Sequence, residues 1–204
     1  MVVTGRDREV LRLLNRFRFC LGRHIKDFVI FSSSRVCDRR LAILTKAGYL
    51  NRRKLLYGIP YLYTLTHKGR MLISANKRES KIRLEQITHD IHVLDSLIYF
   101  LRKYNISLND VESERELHIS DGFGTRKHHP DFVFTHANTK YAVEVELTPK
   151  AKVNLERNVR DNYLNYDVQV WITNDNKVFS LLRSLQDEYS GIEIIRLGEI
   201  LCPK

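Results

Sequence analysis

The chain has 204 residues, room for one large domain or two small ones, and its 43% hydrophobic and 28% charged residues exclude a disordered chain. No run approaches about 18 consecutive apolar residues and the opening MVVTGRDREV lacks a signal peptide's apolar segment, so no membrane partner and a cytoplasmic location are expected. The net charge of +10 is unevenly held: residues 1–83 carry 20 Lys+Arg against 5 Asp+Glu and the remainder 14 against 19, so a basic module precedes a mildly acidic one.

The cations of the basic module are spread over several predicted elements rather than along one amphipathic helix, which favours a nucleic-acid backbone over a lipid surface as its partner. Val10, Leu11, Leu14 and Phe17 recur at helical spacing and predict a helix from about Arg6 to Cys20. A short helix is expected around Arg23–Val29. The hydroxyls of Ser32, Ser33 and Ser34 then suit a turn and the cap of a third helix, SRVCDRRLAILTKAGYL, which Gly48 stops. Within it Cys37, Leu41 and Leu44 face inward, Arg35, Arg39 and Lys46 stay exposed, and Arg40 lies at the edge of the same surface. Tyr49–Leu56 and Tyr61–Thr66 have strand composition around the turn Tyr57-Gly58-Ile59-Pro60, and HKGRMLI closes the unit as a short helix. Cys20, Cys37 and Cys202 are odd in number, far apart and in no CxxC pair, so neither a disulfide framework nor a zinc site is indicated.

Three helices followed by a basic hairpin is the layout of a winged helix-turn-helix, and AGYLNRR…YLYTLTHKGR resembles that family over about residues 6–75. The resemblance implies that the helix bearing Arg35 and Arg39 enters the major groove, where arginine can bridge guanine O6 and N7, while Arg52, Arg53 and Lys54 on the hairpin reach phosphates. A solvated charged face, or a module that binds protein rather than DNA, is the competing reading.

The polar stretch Ser74–Ser80 reads as a connector, dividing the chain into residues 1–75, a linker over 76–81 and a second domain over 82–204. Ile82 to Tyr104 is predicted as one long helix, with apolar positions enough for its own core or for a second copy of the chain in a homodimer. His89 and His92 on it read as packing or surface histidines. Strands are then expected at Leu117–Ile119, Asp131–Thr135, Tyr141–Leu147, Val168–Thr173 and Ile192–Leu197, with helices at about Lys152–Tyr166 and Asn176–Tyr189. The succession is an α/β arrangement with part of its sheet parallel.

Asp131 follows His128-His129-Pro130 at one strand start, and Glu144 and Glu146 alternate along the next, so both glutamates point to one sheet face. Asp131 and Glu144 could hold a hydrated Mg²⁺ or Mn²⁺, a hard cation suited to carboxylates, water and phosphate. A lone ExE on a strand reads first as a solvent face, with Val143, Val145 and Leu147 turned inward. The set Pro130-Asp131 and Glu144-Val145-Glu146, with Glu114 upstream, resembles the PD-(D/E)XK plan of restriction-endonuclease-like nucleases. That family's usual lysine is replaced by Glu146, and Lys150 stands four residues beyond it. The resemblance implies an α+β winged module followed by an α/β nuclease-like domain with a mixed sheet, in which Glu114, Asp131, Glu144, Glu146 and Lys150 form the catalytic set.

Over nearly the whole chain, the winged module followed by ERELHI, HHPDFVF, AVEVELTPKAKVNLERNVRDNY and VWIT resembles the replication-relaxation family of plasmids and integrative mobile elements. This implies a DNA-processing or regulatory protein of a mobile element. Two functions stay open: metal-dependent phosphodiester cleavage, or a non-catalytic regulator or accessory to replication and mobilisation proteins in which the nuclease-like domain is inactive.

Overall fold

The computed structural model describes residues 2–75, 82–121, 127–149 and 151–201, and the chain divides into two compact units, Met1–Leu94 and Asp95–Lys204. The connector expected over 76–81 lies outside the described residues. The division between units falls instead within a helix.

In the first unit, helix α1 (Gly5–Arg16) starts at Thr4, whose hydroxyl accepts from the Asp7 amide, 3.3 Å, while the Asp7 carboxylate accepts from the Thr4 amide, 2.7 Å. This reciprocal capping satisfies two amide donors that a helix start leaves open. The helix ends at Arg16, short of the expected Cys20, because Arg18 takes a left-handed backbone (φ 56°) and Phe19–Leu21 becomes a strand, β1. Helices α2 (Gly22–Phe28) and α3 (Ser34–Lys46) follow, the latter capped by the Ser33 hydroxyl on the Val36 amide. Strands β2 (Leu50–Arg53) and β3 (Leu62–Leu65) complete an antiparallel sheet in the order β1-β3-β2, and α4 (His67–Leu72) follows. Cys37, Leu41 and Leu44 are buried as expected. Phe19, Leu21 and Leu62 pack with Ile87 and Ile91, from the start of α5 (Ile87–Tyr104). The long helix thus opens at Ile87 rather than Ile82, after one 3-10 turn over Leu84–Gln86.

The second unit is a five-stranded mixed sheet. Its strands are β4 (Val111–Ser113), β5 (Phe132–His136), β6 (Thr139–Val145), β7 (Val168–Thr173) and β8 (Ile192–Arg196), in that spatial order. β4, β5 and β6 pair antiparallel, whereas β6, β7 and β8 run parallel. Parallel neighbours need crossovers, supplied by helices α7 (Lys152–Asn165) and α8 (Asn176–Leu185). A short α9 (Leu197–Leu201) follows β8. On one face Phe132 and Phe134 pack on Phe100 of α5, and on the other Trp171 is buried among Leu155, Val159, Val178 and Leu182 of α7 and α8. Trp171 donates to Gln169, 2.9 Å, and Gln169 donates to the Val159 carbonyl, 3.2 Å, so the buried indole N–H is satisfied and tied to α7.

One expected strand is overturned: Leu117–Ile119 lies inside helix α6 (Glu114–Ser120), and the strand is the preceding β4. The cause is local, since Glu116 Oε2 accepts from both the Ser113 amide, 2.9 Å, and its hydroxyl, 2.7 Å, which starts a helix at Glu114. Among the described residues no helix is long and apolar enough to cross a membrane.

Candidate functional site

The pairing of β5 with β6 sets the geometry of the carboxylate site. Phe132 is opposite Val143, so the register carried one residue further sets Asp131 beside Glu144. Asp131 Oδ2 accepts from the Val145 amide at 2.7 Å, which holds the side chain at the end of β6. Glu144 is opposite Trp171 on β7, and the Glu146 amide donates to the Ile172 carbonyl at 2.9 Å, so the parallel edge extends just beyond the strand.

Glu144 and Glu146 are each only 5% exposed, which overturns the solvent-face alternative for the ExE pair. Withdrawing a carboxylate from water costs several kcal/mol unless partners compensate, on the order of the penalty for any buried ion. Glu144 Oε1 meets the His128 ring nitrogen Nε2 at 2.6 Å and accepts from the Asn162 side-chain amide of α7 at 3.2 Å. Asn162 is 1% exposed, and Asn158, one turn earlier, is 5% exposed. α7 therefore presents amides, not only apolar side chains, to the glutamate face of the sheet.

Glu114 is bound to this site through its backbone, its amide donating to the Asp131 carbonyl at 2.9 Å. Its half-exposed carboxylate lies 3.6 Å from His118 Nε2. Lys150 lies outside the described residues. Asp131, Glu144, Glu146 and Glu114 are thus gathered at one end of β5 and β6, while the ligand atoms that come within 4.8 Å of one another as a group of three, among the described residues, belong to His118, Asp121 and His129.

Those three are functional candidates that the sequence reasoning passed over. Asp121 Oδ2 lies 2.7 Å from His129 Nε2 and 3.2 Å from His118 Nδ1. Burial pushes the Asp121 carboxyl up, but hydrogen bonds from His129 and His118 outweigh it and hold the group below its ordinary value. Tyr166, following α7, is affected by both clusters: burial first, then the negative charges of Glu112, Glu144 and Asp121, push its phenol up. The missed signal was H-x2-D followed by a histidine eight residues on, a spacing that means little until α6 and the approach to β5 fold together.

In the first unit Arg35, Arg39 and Lys46 are exposed on α3, and Arg52, Arg53 and Lys54 are exposed on the β2–β3 hairpin. The Arg52 guanidinium lies over the Tyr61 ring at 3.7 Å, and the Lys54 ammonium donates to the Ile59 carbonyl, so both are steered along the hairpin. Tyr57 at its tip is wholly exposed. Arg40 behaves differently from its neighbours. Its guanidinium forms a two-pronged pair with the fully buried Asp7, Nε to Oδ1 at 2.6 Å and the second prong to Oδ2, and its role is to hold α3 against α1. Cys20 and Cys37 are buried free thiols; burial raises both, Cys37 to about 11, which makes them inert at neutral pH.

Comparison with protein-family models, curated proteins and solved structures finds no match to this chain.

Proposed function

We propose that the protein is a DNA-processing protein of the replication-relaxation kind, in which a winged helix-turn-helix grips duplex DNA and a restriction-endonuclease-like domain cleaves a phosphodiester. The observation that carries this reading is the pair of buried carboxylates, Glu144 and Glu146, at the end of β6 with Asp131 brought alongside by β5. A fold retains costly buried charge where that charge has work to perform.

The order α1-β1-α2-α3-β2-β3, with β1 against β3, supports the winged reading, because it adds the small strand that such modules use to close the hairpin onto the helices. α3 then acts as the recognition helix, with Arg35 and Arg39 toward bases and Arg52, Arg53 and Lys54 toward phosphates. The order α5-β4-α6-β5-β6-α7-β7, with strands antiparallel and then parallel, supports the nuclease-like reading of the second unit.

The oxygen-only set Asp131 and Glu144 fits Mg²⁺ or Mn²⁺, which is ordinarily held by one or two carboxylates plus water and phosphate. When bound, the ion would supply positive charge at the scissile phosphate and lower the pKa of its water. The chain's own residues do the positioning. The Val145 amide fixes Asp131, and His128 and Asn162 fix one oxygen of Glu144, which orients that carboxylate beside Asp131. In this reading Glu146, just beyond the end of β6, would accept a proton from the attacking water, with Lys150 as the cation nearest to it in sequence.

Cleavage of supercoiled plasmid DNA with Mg²⁺ or Mn²⁺ tests this. Nicking by the intact protein that disappears in Asp131→Ala and Glu144→Gln, both still binding DNA, is the expected result. Salt-sensitive DNA binding without cleavage would instead favour the regulator or accessory protein, to which the replacement of the family's usual lysine by Glu146 already inclines.

A further inference from the structure

His118 and Asp121 stand at the end of α6, three residues apart, and His129 comes from the segment leading into β5. The two imidazoles flank one carboxylate oxygen edge to face, ring centroids 4.7 Å apart and planes at 80°. One ligand atom from each residue lies within 4.8 Å of the other two. Zinc bonds of about 2.0–2.2 Å place tetrahedral ligand atoms roughly 3.3–3.6 Å apart, so the cluster closes on an ion with small side-chain shifts.

A second feature points the same way. His118 turns Nδ1 to the cluster and Nε2 to the Glu114 carboxylate, 3.6 Å away. A metal-bound imidazole is commonly oriented by a carboxylate on its other nitrogen, which sets the tautomer and strengthens the ligand. The Asp121 and His129 side chains are 6% and 13% exposed and that of His118 38%, so the cluster is mostly withdrawn from water with one ring more exposed than the other.

We propose that His118, Asp121 and His129 bind one divalent transition-metal ion of the zinc type, through two imidazole nitrogens and one carboxylate oxygen, with a remaining position for water. Nitrogen donors separate this site from the oxygen-only pair Asp131 and Glu144, which suits Mg²⁺. The ion clips the end of α6 to the chain just before Asp131. It therefore braces the carboxylate site without being part of it, and it stands independently of the cleavage reading.

The test is titration of the full-length protein, freed of metal by chelator and dialysis, with Zn²⁺ by calorimetry and with Co²⁺ by visible absorption. One equivalent of saturable binding is expected, with Co²⁺ giving the intense visible bands of low coordination. His118→Ala and His129→Ala should lose it, Glu114→Gln should weaken it by about tenfold or more, and Asp131→Ala and Glu144→Gln should leave it unchanged. His118 is exposed enough for its replacement to leave the fold intact, which far-ultraviolet circular dichroism checks. Absence of saturable Zn²⁺ binding by the intact chain, binding that survives His118→Ala, or binding removed by Glu144→Gln would overturn the proposal.

Discussion

Asp7 in the first unit and Glu144 in the second are both carboxylates withdrawn from water, and they meet different company. Asp7 is enclosed by a two-pronged guanidinium and by the Thr4 amide and hydroxyl, a permanent counter-charge with several hydrogen bonds. The partners of Glu144 include an imidazole and a neutral amide. Asp7 thus joins two helices, whereas Glu144 lies next to Asp131 where β5 and β6 meet. The same contrast divides α3, where Arg40 is engaged inward while Arg39, one residue before it, is exposed.

Asp7→Ala removes the buried partner of Arg40 and should have the largest effect, a loss of about 3 kcal/mol in urea unfolding. Burial pushes the Asp7 carboxyl up, but Arg40 and Thr4 outweigh it, so its folded value lies below its unfolded one. The stability Asp7 contributes is therefore complete above the unfolded value, near 3.8, and is lost as pH falls through the folded value. The gap in stability between wild type and Asp7→Asn should stay constant above about pH 4, narrow as pH falls below it and close only beneath the folded value.

Gly69→Ala should follow at about 2 kcal/mol, read as a lower midpoint, because an added Cβ meets the Tyr49 carbonyl oxygen and lies 2.7 Å from Leu65 Cδ1. Arg39→Ala should weaken DNA binding by about 1.4 kcal/mol, a tenfold change in Kd by fluorescence anisotropy, with no change in unfolding midpoint. Arg40→Ala should do the reverse and lower the midpoint. Glu144→Gln should move stability least, by less than about 1 kcal/mol, since it removes a buried charge while keeping the shape of the side chain. A large destabilisation by Glu144→Gln would make Glu144 a second Asp7 and erase the contrast.

Helices and longer strands were legible because burial imposes a period on them. The α3 face of Cys37, Leu41 and Leu44 and the run from Val168 to Thr173 fall where the pattern places them. β1 was not legible, because a run of three, Phe19 to Leu21, is too short to carry a pattern and owes its strand to pairing with β3, whereas the six residues of β7 form an apolar run long enough to read. α6 was misread although its signal was present: Ser113 and Glu116 are a capping pair, and the apolar Leu117 and Ile119 masked it. Of the site, Asp131 and Glu144 came from strand spacing. Arg40's inward role and the His118–Asp121–His129 group did not, since each joins residues from elements that only tertiary packing brings together.

The adjacent histidines ahead of β5 have a consequence for what this segment tolerates. His128 reaches Glu144 and His129 reaches Asp121, so two successive side chains serve two different clusters before Pro130 and Asp131 lead into β5. A one-residue deletion or insertion here would shift both rings off their partners at once. The stretch from His128 to Asp131 should therefore accept changes of side chain far more readily than changes of length.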